Sequence, residues 1–164
     1  MVDQVDTPRL AAVDDATFEQ HVGPAGHPER VERFAAARRG LTTSELGPSA
    51  QHLPPQAASA EQLSLVHDPD YVEQVLESAG RSGYFDADTY FCPQSAEVAR
   101  RASGGAVALT DSLIDGVADF GLGLFRPPGH HARPAQAMGF CLFNHVAVAA
   151  RHALSRGVGR VLIL

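Results

Sequence analysis

Apolar positions recur at helical spacing in some stretches of the chain and run without interruption in others. His27, Pro28, Glu29 and Arg30 open a helical run through Ala37, with Gly40 as its expected stop. Asp68 then Pro69 reads as an N-cap followed by proline in the first turn. Tyr71, Val72, Val75, Leu76 and Ala79 follow at helical spacing, and Gly80 ends that helix. A longer helix is predicted from Ser95 to about Ile114, with Val98, Ala102, Ala106 and Leu109 as its apolar stripe. The pair Gly104-Gly105 inside it either weakens the helix or permits close packing. A last helix is expected from Asn144 to Leu154, with Val146, Ala149, Ala150 and Ala153 facing inward and Gly157 as its cap.

Between the helices lie short apolar runs. LSLV occupies 63–66, FGLGLF at 120–125 reads as a buried strand, and VLIL at 161–164 starts another. The glycines of FGLGLF predict close approach of a neighbouring backbone. Residues 1–26 lack strong periodicity and read as an irregular N-terminal segment. Residues 42–60, with Pro54-Pro55, read as a surface connection, and 80–93 as a loop carrying Asp86 and Asp88. Strands alternating with helices mean an α/β fold, a parallel sheet flanked by helices over residues 27–164. VLIL is expected to be central in that sheet and to lead into a loop at its carboxyl edge, where α/β folds place their sites. A chain stopping there is expected to be truncated after a central strand, with an unpaired edge that recruits another chain.

Composition narrows the classes. The chain has 164 residues, enough for one domain with a real core, and a formal net charge of -6. No basic stripe is visible, which argues against a nucleic-acid partner. No run of apolar residues is long enough to span a membrane, and the N-terminus lacks the order of a signal peptide. All 13 basic residues are arginine, so no mechanism needing a catalytic lysine applies. Cys92 and Cys141 lie far apart, with no disulfide framework, and a cytoplasmic location is the expectation.

The chemistry concentrates in RPPGHHARPAQAMGFCLFNH, residues 126–145. His130 and His131 follow a Pro-Pro-Gly turn directly after a strand. Adjacent side chains diverge, so the pair suits divided labour better than chelation of one metal. One ring can reach a substrate while the other orients it or supplies charge. By residue type alone, two solvated loop histidines is the plainer reading. Gly139 permits a tight turn, and Phe140 is either core or the wall of an apolar channel. Cys141 is either a nucleophile based by a histidine or a small buried hydrophobe, the second being the commoner case. His67 and His27 read as structural, and His145 as a solvated residue at a helix start. His21, His52 and His152 carry no signal.

RPPGHHA followed by MGFC-x-FN, a helix and an apolar strand resembles the histone deacetylase and acetylpolyamine amidohydrolase family, most of all its class II-like members. HPERVERF at 27–34, LVHDPDYVEQV at 65–75 and DADTYFCPQSAEVARRASGG at 86–105 are similar to that family in the expected order. The resemblance covers roughly residues 21–164 and implies a zinc-dependent deacetylase with an arginase/deacetylase-like fold. The implied substrates are acetylated amines, acetyl-lysine or acetylpolyamine. It further implies that His131 is general base and acid, with His130 its electrostatic partner. Gly139 and Phe140 would wall the tunnel around the acyl amine, Asp86 (with Asp88 near enough to compete) would orient substrate at the rim, and Cys141 would be a packing residue. The family's metal ligands are expected beyond Leu164, so no metal ligand is assigned in this chain. His145 stands where relatives often have Asn. The alternative to an enzyme is an inactive half-domain with at most an interaction role, completed by another chain or by self-association.

Overall fold

Leu10, Ala11, Ala12 and Val13 form β1 (Leu10–Val13), three of them fully buried, in a computed structural model that describes residues 8–164. The expectation of an irregular segment over 1–26 is therefore corrected from Leu10 on, and its residues 1–7 lie outside the described residues. Four residues buried on both faces show no period, so nothing in the pattern marks them as a strand. β1 is the middle of a parallel three-stranded sheet, order β2-β1-β5. Its partners are β2 (Gln51–His52), inside the expected irregular connection, and β5 (Phe120–Gly123), paired Leu10 to Phe120 through Val13 to Gly123. A 3₁₀ turn, Ala16–Gln20, follows β1 with Asp15 capping it.

Helix α1 (Val31–Thr43) starts later than expected and runs through Gly40. A four-residue helix, α2 (Ala60–Leu63), absorbs the start of LSLV behind a capping box from Ser59 and Gln62. α3 (Pro69–Leu76) has the expected Asp68 cap, and α4 (Ser95–Ile114) has the expected bounds. Between them β3 (Gly83–Tyr84) and β4 (Tyr90–Phe91) pair as a short antiparallel ribbon where a loop was expected. α5 (His145–Ser155) has Asn144 as N-cap, its side chain accepting from the Ala147 N–H. No helix among the described residues is long and apolar enough to cross a membrane.

α4 joins two apolar clusters. Val98, Ala102 and Leu109 pack with Val13, Phe18 and Phe34, while Ala96, Ala99 and Val107 pack with Tyr71, Val75, Phe143 and Val148. Gly104 explains how tightly the chain lies on it: a Cβ there would overlap the Gln56 carbonyl oxygen and sit 2.9 Å from the Ala58 nitrogen. The glycine pair thus serves close packing. α5 agrees with expectation at Ala153 but is turned differently in its first two turns. His145, Val148 and Ala153 are buried, whereas Val146 is 45% exposed. Val146, Ala149 and Ala150 line a groove of about 630 Å³ with Leu109, Leu113 and residues 161–164. VLIL is correspondingly corrected: it is exposed and outside any strand, because its backbone pairs with no neighbour among the described residues. FGLGLF is a strand but not a buried one, with Phe120 61% exposed. Its Gly123 gives room to the Phe125 ring rather than to a backbone.

Arg126, at the end of the strand segment, ties the sheet to the N-terminal layer. It is 3% exposed and donates to both Glu29 carboxylate oxygens, at 2.5 and 2.8 Å. It also donates to the carbonyls of Phe18 (3.0 Å) and His21 (2.8 Å). The Tyr90 hydroxyl donates to Glu29 at 2.6 Å. Burial would raise the Glu29 pKa, but the bonds from Arg126 and Tyr90 outweigh it and hold the carboxyl below its usual range. The His21 ring stacks on Tyr90 at 4.4 Å, and burial pushes its pKa down to about 4.

Glu29→Gln leaves the Arg126 cation buried without its counter-charge and is expected to lower unfolding free energy by about 3–5 kcal/mol. Chemical denaturation of the two proteins measures this, and a loss under about 1 kcal/mol would show that water reaches the pair. Gly104→Ala is expected to lower stability by about 1–3 kcal/mol through overpacking, despite alanine's better helix propensity. An unchanged or raised denaturation midpoint would contradict the close approach of Gln56.

Candidate active site

The segment after Arg126 is built from two turns, each with a glycine at a crowded place. In the first, the Ala132 N–H donates to the Gly129 carbonyl at 3.2 Å, so His130 and His131 occupy the two central positions. Their rings lie 4.2 Å apart between centroids, tilted by 49°. The expectation that adjacent histidines diverge fails here because the turn folds both onto one side. Both are exposed, and neither imidazole has a hydrogen-bond partner among the described residues.

In the second turn Met138 and Cys141 exchange backbone hydrogen bonds, at 3.2 and 3.0 Å, around Gly139 and Phe140. Both central residues have positive φ, 57° and 69°, the signature of a type I′ hairpin turn. Glycine accepts that conformation freely, whereas in Phe140 it stores about 1–2 kcal/mol. Gly139 is also needed for space: a Cβ there would come within 2.8 Å of the His131 Cβ, Cγ and Cδ2 atoms. The two halves of the motif, GHH and GFC, therefore touch through His131 and Gly139.

Phe140 is half-buried and braced from two sides. Its ring meets the His27 ring edge-on at 4.8 Å, and its N–H donates to the Thr89 hydroxyl at 3.1 Å. Thr89 in turn donates its N–H to Asp86 Oδ1 at 2.6 Å, and Asp88 does so at 3.1 Å. Burial would raise the Asp86 pKa, but the bonds from Thr89 and Asp88 prevail and lower it. Asp88 is exposed, and its carbonyl accepts from His27 Nε2 at 3.1 Å. Asp86 and Phe140 are thus joined through Thr89, while the Asp88 carboxylate lies in solvent.

Three buried histidines that carried little or no functional signal in the sequence hold this apparatus. His67 Nε2 accepts the Asn144 N–H at 2.9 Å, so its Nδ1 carries the hydrogen towards the Arg133 carbonyl, 3.0 Å away. This is the structural role expected of it. His145, expected to be solvated, is 4% exposed and lies beneath the first turn. His21, Glu29 and Tyr90 anchor the start of the segment. A buried arginine next to PPG requires a buried acid, which was the available signal for Glu29. Cys141 is fully buried; burial raises its thiol pKa, which disfavours a nucleophile and agrees with a packing role.

Among the described residues no group of three or more His, Cys, Asp or Glu side chains is placed to hold a metal ion. Two imidazoles on one turn do not by themselves fit a zinc site, which takes about three protein ligands.

Comparison with known proteins agrees with the motif. The histone deacetylase domain matches residues 27–164. Polyamine deacetylase HDAC10 of Homo sapiens is 42% identical over 145 residues, 83% of this chain and 22% of that protein. A probable deacetylase of Methanothermobacter thermautotrophicus is 41% identical over 158 residues, 94% of this chain and 46% of its own length. The histone deacetylase-like amidohydrolase of Pseudomonas aeruginosa is 41% identical over 143 residues, 85% of this chain and 37% of its own. The crystal structure of the HDA15 HD domain superposes with a TM-score of 0.87 at 34% identity, over 92% of this chain and 45% of that one. The chain spans less than half the length of each of these relatives. By fold, by motif and by these matches, the chain belongs to the histone deacetylase family.

Proposed function

We propose that this chain carries the proton-transfer and tunnel-wall part of a deacetylase that hydrolyses an acylated amine, either acetyl-lysine or an acetylpolyamine. One observation carries the reading: the GHH turn and the GFC turn are built against each other, His131 seated on Gly139 beside Phe140. A proton-transfer group next to an aromatic wall suits an amide on an aliphatic stem. In this reading His131 takes a proton from the water that attacks the amide carbonyl and delivers it to the departing amine. His130, its ring 4.2 Å away, tunes that exchange by its charge. Phe140 clasps the stem. The lowered pKa of Asp86 keeps its carboxylate anionic at neutral pH, as orientation of a substrate N–H requires. The free, buried thiols of Cys92 and Cys141 suit a cytoplasmic setting.

Zinc, implied by the family resemblance, would polarise the carbonyl and acidify the water. The described residues do not offer it a site, which favours a second reading: the 164-residue chain alone is inactive. Purified as it stands, it is expected to hold well under one zinc per chain by elemental analysis and to leave an acetyl-lysine peptide and an acetylpolyamine intact. One zinc per chain with measurable turnover would reveal a ligand set formed by rearrangement.

Within a complete deacetylase domain containing this segment, His131→Ala is expected to lower kcat by about 10²- to 10⁴-fold with little change in KM. Phe140→Ala should act chiefly on KM. Steady-state kinetics of both variants checks the division, and equal, small effects would count against both roles.

A further inference from the structure

His145 opens α5, yet the helix end does not need its side chain, because the Asn144 carboxamide already accepts the Ala147 N–H. Its imidazole instead turns inward. Nε2 lies 3.0 Å from the Pro127 carbonyl oxygen and Nδ1 lies 3.2 Å from the Ser103 hydroxyl of α4. A carbonyl only accepts, so Nε2 carries the hydrogen, leaving Nδ1 bare to accept from Ser103. One neutral tautomer thereby satisfies both ring nitrogens. The ring also forms the floor of the first turn: a Cβ on Gly129 would come within 2.6 Å of His145 Cδ2. Phe125 closes the side, its ring 5.5 Å away.

We propose that His145 is a positioning residue: its neutral imidazole clamps Pro127 and supports the Gly129–Ala132 turn, and its protonation opens the turn that presents His130 and His131. The inference draws on the proposed catalytic roles of those two histidines only for its effect on turnover; the clamp itself is read from the turn. A cation at His145 would keep the Pro127 carbonyl as its partner, but that bond does not offset the cost of burial. The titratable groups that face it are His130 from the turn and His67 from the segment before α3, and both oppose a positive charge. α4 presents a neutral hydroxyl, and the nearby Arg126 is committed to Glu29. No carboxylate pairs with His145 among the described residues.

The sign follows from where the proton binds better. Burial pushes the pKa of the clamped ring down to about 4, against 6.5 for a solvated one. The clamp is therefore at full strength above about pH 6.5 and weakens as pH falls towards 4. If opening exposes the ring, the population of the open turn rises about tenfold between pH 7.5 and pH 5.5. Glutamine, whose amide nitrogen reaches the place of Nε2, can still donate to the Pro127 carbonyl but does not titrate, so His145→Gln separates the clamp from its response to pH.

Amide hydrogen exchange on the 164-residue chain reads the opening directly. The reporter is the Ala132 N–H, which the turn protects, with Ala102 in the middle of α4 reporting global unfolding. After correction for intrinsic rates, Ala132 is expected to open more readily than Ala102 at both pH values. Its opening should rise about tenfold from pH 7.5 to 5.5, and about twofold or less in His145→Gln. Exchange of Ala132 no faster than Ala102, or an undiminished rise in the variant, overturns the proposal. A check on the unaltered chain does not depend on the variant folding. Nitrogen-15 spectra at pH 5.5 should show His145 neutral with the hydrogen on Nε2, and a cationic ring or an Nδ1–H tautomer in the closed turn refutes the clamp. Confirmed opening with no acid effect on turnover in a complete domain would uphold the clamp and count against the catalytic reading of His130 and His131.

Discussion

Arg126 and Glu29 could not be buried separately. Each would lose its hydration with nothing in return, and a lone charge in such a place is strongly unfavourable. Together, with the Tyr90 hydroxyl and the carbonyls of Phe18 and His21, they satisfy one another inside the protein. The pair therefore draws four parts of the chain to one point: the 3₁₀ turn after β1, the segment entering α1, strand β4 and the end of the β5 segment. His130 and His131 come four and five residues after Arg126, so their place above the sheet is inherited from that junction. A hydrophobic contact at the same location would hold the layers together but would not fix direction. The guanidinium, with its planar set of donors, does both.

Glycine does complementary work at the two turns, for different reasons. Gly129 has no side chain because the His145 ring occupies that space from below, and Gly139 has none because His131 occupies it from above. The backbone of the first turn is thus pressed between an imidazole under it and the hairpin that receives its own histidine. Phe140 keeps an unfavourable backbone conformation beside Gly139, held by the Thr89 hydroxyl and the edge of His27. Strain of that kind persists where the surroundings over-determine a side chain's place, as they do here.

The sequence was most legible where one physical signal dominated. The Asp68-Pro69 start and the α4 stripe appear as expected, because caps and a 3.6-residue period are local properties. The family motif pointed to GHH and GFC, which do meet. What escaped was long-range. β1 has no period, since both its faces are covered, and β2 is two residues long, so neither announced itself. The pattern misplaces the start of α5 because it counts His145 as polar. Nothing local indicates that a histidine will find a carbonyl and a hydroxyl deep in the structure. The apolar run 161–164 predicts a strand, but β structure needs a partner, and these exposed residues instead border the groove beside α5.

Pairing of β1 with β5 joins Leu10 to Phe120, and the Arg126–Glu29 bond closes a similar span, 97 residues. Contacts so distant along the chain confer no stability until the large loop between them has already given up its freedom. Helical hydrogen bonds close within a few residues, and even the floor of the tandem-histidine turn lies 18 residues on, whereas its anchor exists only where Arg126 meets Glu29. A peptide copied from residues 126–145 would contain both turns and the His145 ring, but not Glu29, Thr89 or Ser103, which hold them in place. The site thus takes its anchor from the topology of the chain rather than from its own segment.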